Sequence, residues 1–323
     1  MKKYDSPHNG DKILWCRFEA YGDVLQALAE AYVVKTKFPN VKIGFLTREK
    51  YADIAKAQPY IDEVICGEKH PFSVLLKTAS LIRRKKYDWI CSTMQGGHFS
   101  VLALLAGAKY RLSDTRYLSL IDTYNAHEWA SAHDIDLYAR TERTLFPAST
   151  DEVFAKDLLS PLEGKKKIFC IVGASKVFKI WPAEHWIDLL KPLTETGWCA
   201  VLNAFGTVEK QYADKIAAAL PAGCVLNLTN KLTFSTVTAV ADQCNVVVGS
   251  DTGPMHTALL CGLPGICICE HHISKDVGYN MPWLTLISSD IKKTTENKDM
   301  PISTISPKIV REKFDELVEK YKL

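Results

Sequence analysis

The sequence predicts an α/β protein with two doubly wound, Rossmann-like domains. Short runs of β-branched and aromatic residues alternate with longer helical patterns along the whole chain. This alternation is the pattern of βαβ units around a parallel sheet. The length of 323 residues also exceeds the size at which one hydrophobic core usually stops growing. Two domains of about 150 residues each are therefore expected.

The first half of the chain has the pattern of one such domain. Its clearest unit is a buried strand at 13–18, a loop at 19–22 and a helix that begins at Asp23. Asp23 is then expected near the N-cap of that helix. Further strands are predicted at 41–46, 64–66 and 89–92, and further helices at 51–57, 72–84 and 99–105.

The second half repeats the alternation after a segment at 147–164 that contains proline and glycine. We therefore place the domain boundary here, with a first domain at 1–158 and a second at 159–305. The segment 306–323 is predicted to be an amphipathic helix that packs against the body of the protein. Strands of the second half are predicted at 167–172, 199–203, 225–228, 246–249 and 265–269, and helices at 182–195, 209–220 and 233–244.

Composition and charge argue against several classes of protein. With 47% hydrophobic and 24% charged residues, the chain is able to bury a core. The net charge of +3 gives no reason to expect a nucleic-acid partner. The start of the chain has no apolar stretch of signal-peptide length, and the longest apolar run, at 101–108, is far below the roughly 20 residues that span a bilayer. We expect a cytoplasmic protein whose membrane contact, if any, is peripheral.

Two local clusters have alternative interpretations. The basic runs at 83–86 and 165–167 are either solvated or meet anionic lipid or an acidic acceptor. The run at 267–272 (Cys-Ile-Cys-Glu-His-His) contains residue types that bind zinc, but its spacing matches no paired cysteine motif. We therefore expect no metal site. The ten cysteines sit mainly in apolar runs, which is typical of reduced thiols in a cytosolic protein.

Ligands of open α/β sheets bind beyond the carboxyl ends of the strands, so the strand-to-helix loops are the candidate sites. The strongest loop follows the strand at 246–249, and Pro254 occupies its first helical position. Free N–H groups at such a helix start suit a diphosphate, which Asp251 and His256 are placed to face. The alternative is that Asp251 only caps the helix and His256 lies against the sheet.

Two other loops carry weaker signals. In the loop at 173–182, Lys179 stands just before a helix and is able to neutralise a phosphate, although the P-loop pattern is absent. In the first domain, Gly22 permits a close approach of the backbone. The carboxylate of Asp23 beside it is either a general base or an ordinary helix cap.

Five motifs, in order along the chain, resemble those of glycosyltransferase family 9, the ADP-heptose:lipopolysaccharide heptosyltransferases. The first three are residues 22–25 (Gly-Asp-Val-Leu), 59–65 (Pro-Tyr-Ile-Asp-Glu-Val-Ile) and 95–96 (Gln-Gly). The other two are residues 179–182 (Lys-Ile-Trp-Pro) and 251–256 (Asp-Thr-Gly-Pro-Met-His). The resemblance covers most of the sequence.

This resemblance implies a GT-B fold, in which an acceptor domain and a donor domain face each other across a cleft and the final helix packs back toward the first domain. It also implies inverting transfer of a sugar without a metal ion, with Asp23 as the general base. Arg17, Gly22 and Gln95 are expected on the acceptor side. The expected donor-binding residues are Ser175, Lys179, Phe205, Gly206, Asp251, Thr252, Gly253 and His256.

The implied donor is a nucleotide sugar, ADP-heptose, and the implied acceptor is a lipopolysaccharide core or a related surface glycan. No cofactor is expected, and any contact with the inner face of the cytoplasmic membrane is expected to be peripheral. Residues 270–272 (Glu-His-His) depart from the family pattern, which leaves the sugar open. The alternatives are a GT-B epimerase or hydrolase and a non-catalytic nucleotide-sugar-binding protein. A dehydrogenase is disfavoured because no G-x-G-x-x-G follows the first strand.

Overall fold

The structure, a computed structural model, describes residues 4–68, 72–93, 97–114, 121–138, 140–174, 176–270, 281–289 and 301–323. The chain separates into two compact units, Met1–Tyr138 and Ala139–Leu323. Each unit contains a six-stranded sheet whose neighbouring strands run parallel. The predicted α/β class with two Rossmann-like units is confirmed.

The first unit alternates strands and helices as its sequence predicts. The strands are β1 Lys12–Cys16, β2 Lys42–Thr47, β3 Glu63–Cys66, β4 Trp89–Cys91, β5 Tyr110–Ser113 and β6 Tyr124–Asn125. The helices are α1 Tyr21–Lys37, α2 Ala52–Lys56, α3 Phe72–Lys85, α4 Gly97–Ala106 and α5 Ala126–Ala132. The strand order is β3-β2-β1-β4-β5-β6. Helices α3 and α4 cover the same face of this sheet, because Leu75, Ile82, Phe99 and Leu102 share one buried cluster with Leu14 of β1.

The second unit has the same arrangement of strands. These are β7 Lys166–Ile171, β8 Trp198–Asn203, β9 Val225–Asn227, β10 Val246–Ser250, β11 Gly265–Cys269 and β12 Leu284–Ser288, in the order β12-β11-β10-β7-β8-β9. The helices are α6 Ser149–Leu159, α7 Ala183–Glu195, α8 Thr207–Ala219, α9 Phe234–Asp242, α10 Gly253–Leu260 and α11 Pro307–Tyr321. Short 3-10 helices are found at Glu49–Tyr51, Ser160–Leu162, Val177–Lys179 and Pro301–Thr304.

In both sheets, the order in which the strands are added reverses between the first and the fourth strand. In the first unit this point lies between β1 and β4, and in the second unit it lies between β7 and β10. The loops that follow the two strands leave the sheet toward opposite sides and open a crevice at its carboxyl edge. The topology therefore selects the loops after β1 and β4, and after β7 and β10, as the places to look for ligand-binding residues.

The boundary between the units lies earlier than the sequence analysis placed it. Helix α6 packs on α9, where Ser235 hydrogen-bonds to Asp151 and the side-chain amide of Gln243 donates to the carbonyl of Glu152. The residues after 138 therefore belong to the second unit, and the predicted boundary after residue 158 is too late.

The final helix belongs to the second unit. Val310, Phe314 and Leu317 on α11 lie in the core of that unit, and Phe314 packs edge-to-face on Trp198 at 5.1 Å between ring centroids. The amphipathic pattern is thus used as predicted, but its apolar face is buried among the residues of the second unit. In the described part of the chain, no helix is long and apolar enough to cross a membrane.

Candidate functional site

In the second unit, an ion pair joins the two loops at the reversal point of the sheet. Nζ of Lys179, in the loop after β7, donates to Oδ2 of Asp251 at 2.8 Å and approaches the backbone oxygen of Asp251 at 3.3 Å. The other carboxylate oxygen, Oδ1, lies 3.2 Å from Nε2 of His256 on α10. All three side chains are largely shielded from solvent. Asp251 thus holds a lysine and a histidine at one edge of the sheet.

The start of helix α10 lies beside this cluster and has no side-chain cap. Thr252 is the N-cap residue, yet its side chain accepts no hydrogen bond from the N–H groups of the first turn, and its hydroxyl donates to the carbonyl of Ser250 at 3.3 Å. Gly253 is the first helical residue and Pro254 the second. The uncapped N–H groups and the positive end of the helix dipole remain available to an anion.

This geometry rules out one alternative for Asp251, that it only caps the helix. Asp251 precedes the N-cap residue and pairs with Lys179, so it is not the helix cap. His256 lies against Asp251. Pro254 is one position later in the helix than predicted.

A second edge of the same unit is formed by the loops after β8 and β9. Asn230 joins them, because its side-chain oxygen accepts from the N–H of Gly206 at 2.8 Å and its amide donates to the carbonyl of Gly206 at 3.1 Å. Gly206 has φ +121°, a backbone conformation that residues with a side chain rarely adopt, so glycine is favoured at this position. Phe205 is left on the surface beside this fixed turn.

In the first unit, Asp23 lies beyond the carboxyl end of β1. Helix α1 begins at Tyr21 and its N-cap is Ala20, so Asp23 is the third helical residue and lies near the N-cap as expected. Its Oδ2 accepts the backbone N–H of Ala20 at 3.0 Å, which satisfies one free donor of the helix start. Within the described residues, Oδ1 of Asp23 accepts no hydrogen bond. The carboxylate is held through one oxygen only.

The loops after β1 and β4 are joined by a buried polar network. Arg17 donates to Oγ1 of Thr93 at 2.8 Å, and Thr93 donates to Oε2 of Glu30 at 2.8 Å. Oε1 of Glu30 lies 4.0 Å from the guanidinium of Arg17, and Oε2 also accepts from Nε1 of Trp15 at 3.1 Å. Glu30 is fully buried on α1. Arg17, expected on the acceptor side, is therefore a buried group that fixes the reversal point of the first sheet.

A second contact between the same loops involves Glu19 and His98. Oε1 of Glu19 lies 3.8 Å from Nε2 of His98 in the first turn of α4, and Oε2 of Glu19 accepts the N–H of Phe18 at 3.0 Å. The crevice side of the first unit thus carries Asp23, Glu19 and His98. Glu30, Thr93 and His98 were not selected from the sequence. A charged residue within the apolar face of the first helix was the available signal for Glu30.

Some predicted site residues lie outside the part of the chain that the structure describes. These are Ser175 and Gln95, together with His271 and His272 of the cluster considered for zinc. Cys267 and Cys269 of that cluster are buried on β11, and the hydrogen bond between them together with burial raises the pKa of the Cys267 thiol. Among the described residues, no group of three or more His, Cys, Asp or Glu side chains is arranged to hold a metal ion.

Comparison with known proteins gives a match to one family model and to members of the same family in sequence and in structure. The family model described as "Glycosyltransferase family 9 (heptosyltransferase)" matches residues 102–299. Lipopolysaccharide heptosyltransferase 1 of Pseudomonas aeruginosa is 22% identical over 299 residues, which cover 80% of this chain and 78% of that protein.

Two solved structures share the fold. The glycosyl transferase family 9 structure from Veillonella parvula superposes with a TM-score of 0.82 at 18% identity, over 98% of this chain and 99% of that one. The E. coli ADP-heptose lps heptosyltransferase II superposes with a TM-score of 0.74 at 19% identity, over 97% and 100%. The predicted GT-B fold is confirmed by these matches.

The network around Glu30 generates a stability prediction. Replacing Glu30 by alanine leaves Arg17 buried without its carboxylate and removes the acceptor of Trp15, so we expect a loss of about 3–5 kcal/mol in the free energy of unfolding. The measurement is urea denaturation followed by circular dichroism. The matched control is Glu316→Ala, which breaks the exposed pair with Lys313 and is expected to cost less than about 1 kcal/mol. Equal effects of the two substitutions would show that the network adds nothing to stability.

Proposed function

The chain belongs to glycosyltransferase family 9, whose model matches more than half of its length, and on this basis we propose that it transfers a heptose from ADP-heptose to a lipopolysaccharide core or a related surface glycan. Glycosyl transfer is the activity of the family. The donor and the acceptor are supported by the names of the two heptosyltransferases that the chain resembles. The observation that carries the proposal is the Lys179–Asp251–His256 cluster at the uncapped start of α10.

We assign the donor diphosphate to this cluster. A diphosphate carries negative charge that the N–H groups of Thr252 and Gly253 and the dipole of α10 attract. Lys179 adds a full positive charge, and Asp251 fixes the position of the ammonium group. Ser175 is expected to contribute from the neighbouring loop. The adenosine is expected against Phe205 and Gly206, where Asn230 holds the turn.

The same groups serve the chemical step. As the bond between the anomeric carbon and the diphosphate breaks, negative charge grows on the departing oxygen. Lys179 and the helix start are already oriented toward this charge, so they stabilise the transition state more than the ground state. We propose that this positive charge neutralises the departing diphosphate in place of a metal ion and that the reaction needs no cofactor. Full turnover in EDTA is the corresponding expectation.

Asp23 is proposed as the general base. One of its oxygens is fixed by the N–H of Ala20, and the other is available to accept a proton from an acceptor hydroxyl. The hydroxyl oxygen then attacks the anomeric carbon from the side opposite the diphosphate, which inverts the configuration. Gly22 and Gln95 are assigned to the acceptor side, and Arg17 supports that side from the buried network with Thr93 and Glu30. Because a lipopolysaccharide precursor is anchored in lipid, we propose that the protein works at the inner face of the cytoplasmic membrane.

The reaction itself is tested with ADP-heptose in the presence and absence of a lipopolysaccharide-core acceptor. Release of ADP that requires the acceptor, together with a heptosylated product, is the expected result. ADP release without acceptor would instead indicate a hydrolase or epimerase, and ADP-heptose binding without any turnover would indicate a non-catalytic binding protein. Other nucleotide sugars in parallel reactions test the choice of donor.

Asp23→Asn is expected to lower kcat by about 10²–10⁴-fold, because the amide cannot take up the proton. The amide oxygen still accepts the N–H of Ala20, so the helix start is retained. Affinity for ADP, measured by calorimetry, should remain within about twofold of the original protein, because Asp23 lies in the unit that does not bind the donor diphosphate. An unchanged kcat would remove Asp23 as the base.

Lys179→Gln is expected to weaken ADP binding by about 10- to 100-fold, the effect of losing one hydrogen bond to a charged group. The matched control is Lys176→Gln, three residues earlier in the same loop, where the exposed ammonium group lies 5.6 Å from the centroid of the Phe178 ring. Calorimetric titration with ADP measures both variants. If the two substitutions weaken ADP equally, Lys179 has no special role and only the net charge of the loop matters.

A further inference from the structure

Helix α4 of the first unit presents an apolar face to solvent. The helix contains no Lys, Arg, Asp or Glu. Phe99 and Leu102 point into the core, whereas Leu104 is 48% exposed and Leu105 is 37% exposed. A surface helix normally carries polar residues on its outer face. The outer face of α4 is therefore more apolar than is usual for a helix surface in contact with water.

The neighbouring helix extends this apolar surface. Phe72 is 59% exposed and Leu76, one turn later on α3, is 44% exposed. Helices α3 and α4 pack side by side on the same face of the sheet, with Ala79 and Ala103 in the shared core. Two adjacent helices thus expose large apolar side chains on one side of the unit.

Positive charge is concentrated on α3 and on the residues that follow α3 and α4. Between residues 72 and 113 the only acidic residue is Asp88, and the cations are Lys77, Arg83, Arg84, Lys85, Lys86, Lys109 and Arg111. Lys77, Arg83, Arg84 and Lys86 are exposed. In the described ranges of the chain, none of these four forms an ion pair. Their charges are therefore available to an external anion.

Arg83 connects the charged and the apolar parts of this surface. A Cβ on Gly107, directly after α4, would lie 3.9 Å from Nε of Arg83. The guanidinium on α3 therefore lies at the C-terminal end of α4. We call the exposed apolar residues Phe72, Leu76, Leu104 and Leu105, with the cations Lys77, Arg83, Arg84 and Lys86, the α3–α4 surface.

We propose that the α3–α4 surface docks the protein on an anionic phospholipid bilayer. The apolar side chains enter the boundary between headgroups and acyl chains, and the cations pair with lipid phosphates. Lipid phosphates match the unpaired positive charge, whereas a second copy docked symmetrically would bring the arginines of both copies together. The inference stands on this surface alone and does not require the proposed function.

The exposed apolar residues of α6 lack this charge pattern. Val153 and Phe154 on α6 are 63% and 42% exposed. The same helix carries Asp151, Glu152 and Asp157 and only one cation, Lys156. An anionic bilayer would repel that surface, so it provides a matched negative control.

The test is co-sedimentation of the full chain with vesicles of phosphatidylglycerol and phosphatidylcholine. We expect binding to vesicles rich in phosphatidylglycerol, little binding to phosphatidylcholine alone, and release at high salt. Removing two charges with Arg83→Gln and Arg84→Gln should lower the partition coefficient between vesicles and water about 25-fold, because each lost cation lowers it about fivefold. Leu104→Glu with Leu105→Glu should lower it by more than tenfold.

The control carries Val153→Glu and Phe154→Glu and should bind vesicles like the original protein. Thermal unfolding and ADP affinity, measured on every variant, confirm that each is folded. The proposal is overturned if the folded α3–α4 variants bind as tightly as the control or if the original protein binds no vesicles. Light scattering measures whether the protein is a dimer. If the protein binds no vesicles and forms a dimer that Leu104→Glu with Leu105→Glu dissociates, the α3–α4 surface is an interface between two copies of the chain.

Discussion

The ion pair between Lys179 and Asp251 is the interaction on which the proposed donor site depends. The two residues are 72 positions apart in the sequence, and their side chains meet at 2.8 Å. They meet because the parallel sheet reverses its order between β7 and β10, so the loops after these strands become neighbours at one edge. Asp251 also lies beside His256, and the carboxylate therefore orients both basic groups next to the uncapped start of α10. A lysine without this partner would lose more rotamer freedom on binding an anion.

The first unit has the same strand topology, but a buried polar network lies at its reversal point. Its reversal point, between β1 and β4, is held by the buried contacts of Arg17 and Glu30 with Thr93. A charged residue at full burial is expensive unless its partners are fixed, so this network favours one arrangement of the two loops. In the neighbouring turn, one carboxylate oxygen of Asp23 accepts a backbone hydrogen bond and the other oxygen is available. One unit thus carries a candidate base, and the other carries a candidate anion site, each at the carboxyl edge of its own sheet.

The sequence predicted the class of fold because hydrophobic periodicity and strand-to-helix loops are local signals. It also located the loop of Asp251, where a buried strand, a small-residue turn and a proline follow one another. It misplaced the domain boundary because the packing of α6 on α9 is a long-range contact. It began the first helix at Asp23, two residues too late, because the N-cap residue Ala20 has no capping side chain and no residue type marks the helix start at Tyr21. Glu30 was missed because only the tertiary structure brings Trp15, Arg17 and Thr93 around it.

A double-mutant cycle of ADP affinity with Lys179→Gln and Asp251→Asn tests the central claim most directly. If Asp251 acts by holding Lys179 at the diphosphate, Asp251→Asn should weaken ADP binding in the original protein and have much less effect once Lys179 is glutamine, with a coupling of about 0.5–3 kcal/mol. Independent effects that simply add would contradict the account, because the carboxylate and the ammonium group would then act on the nucleotide separately.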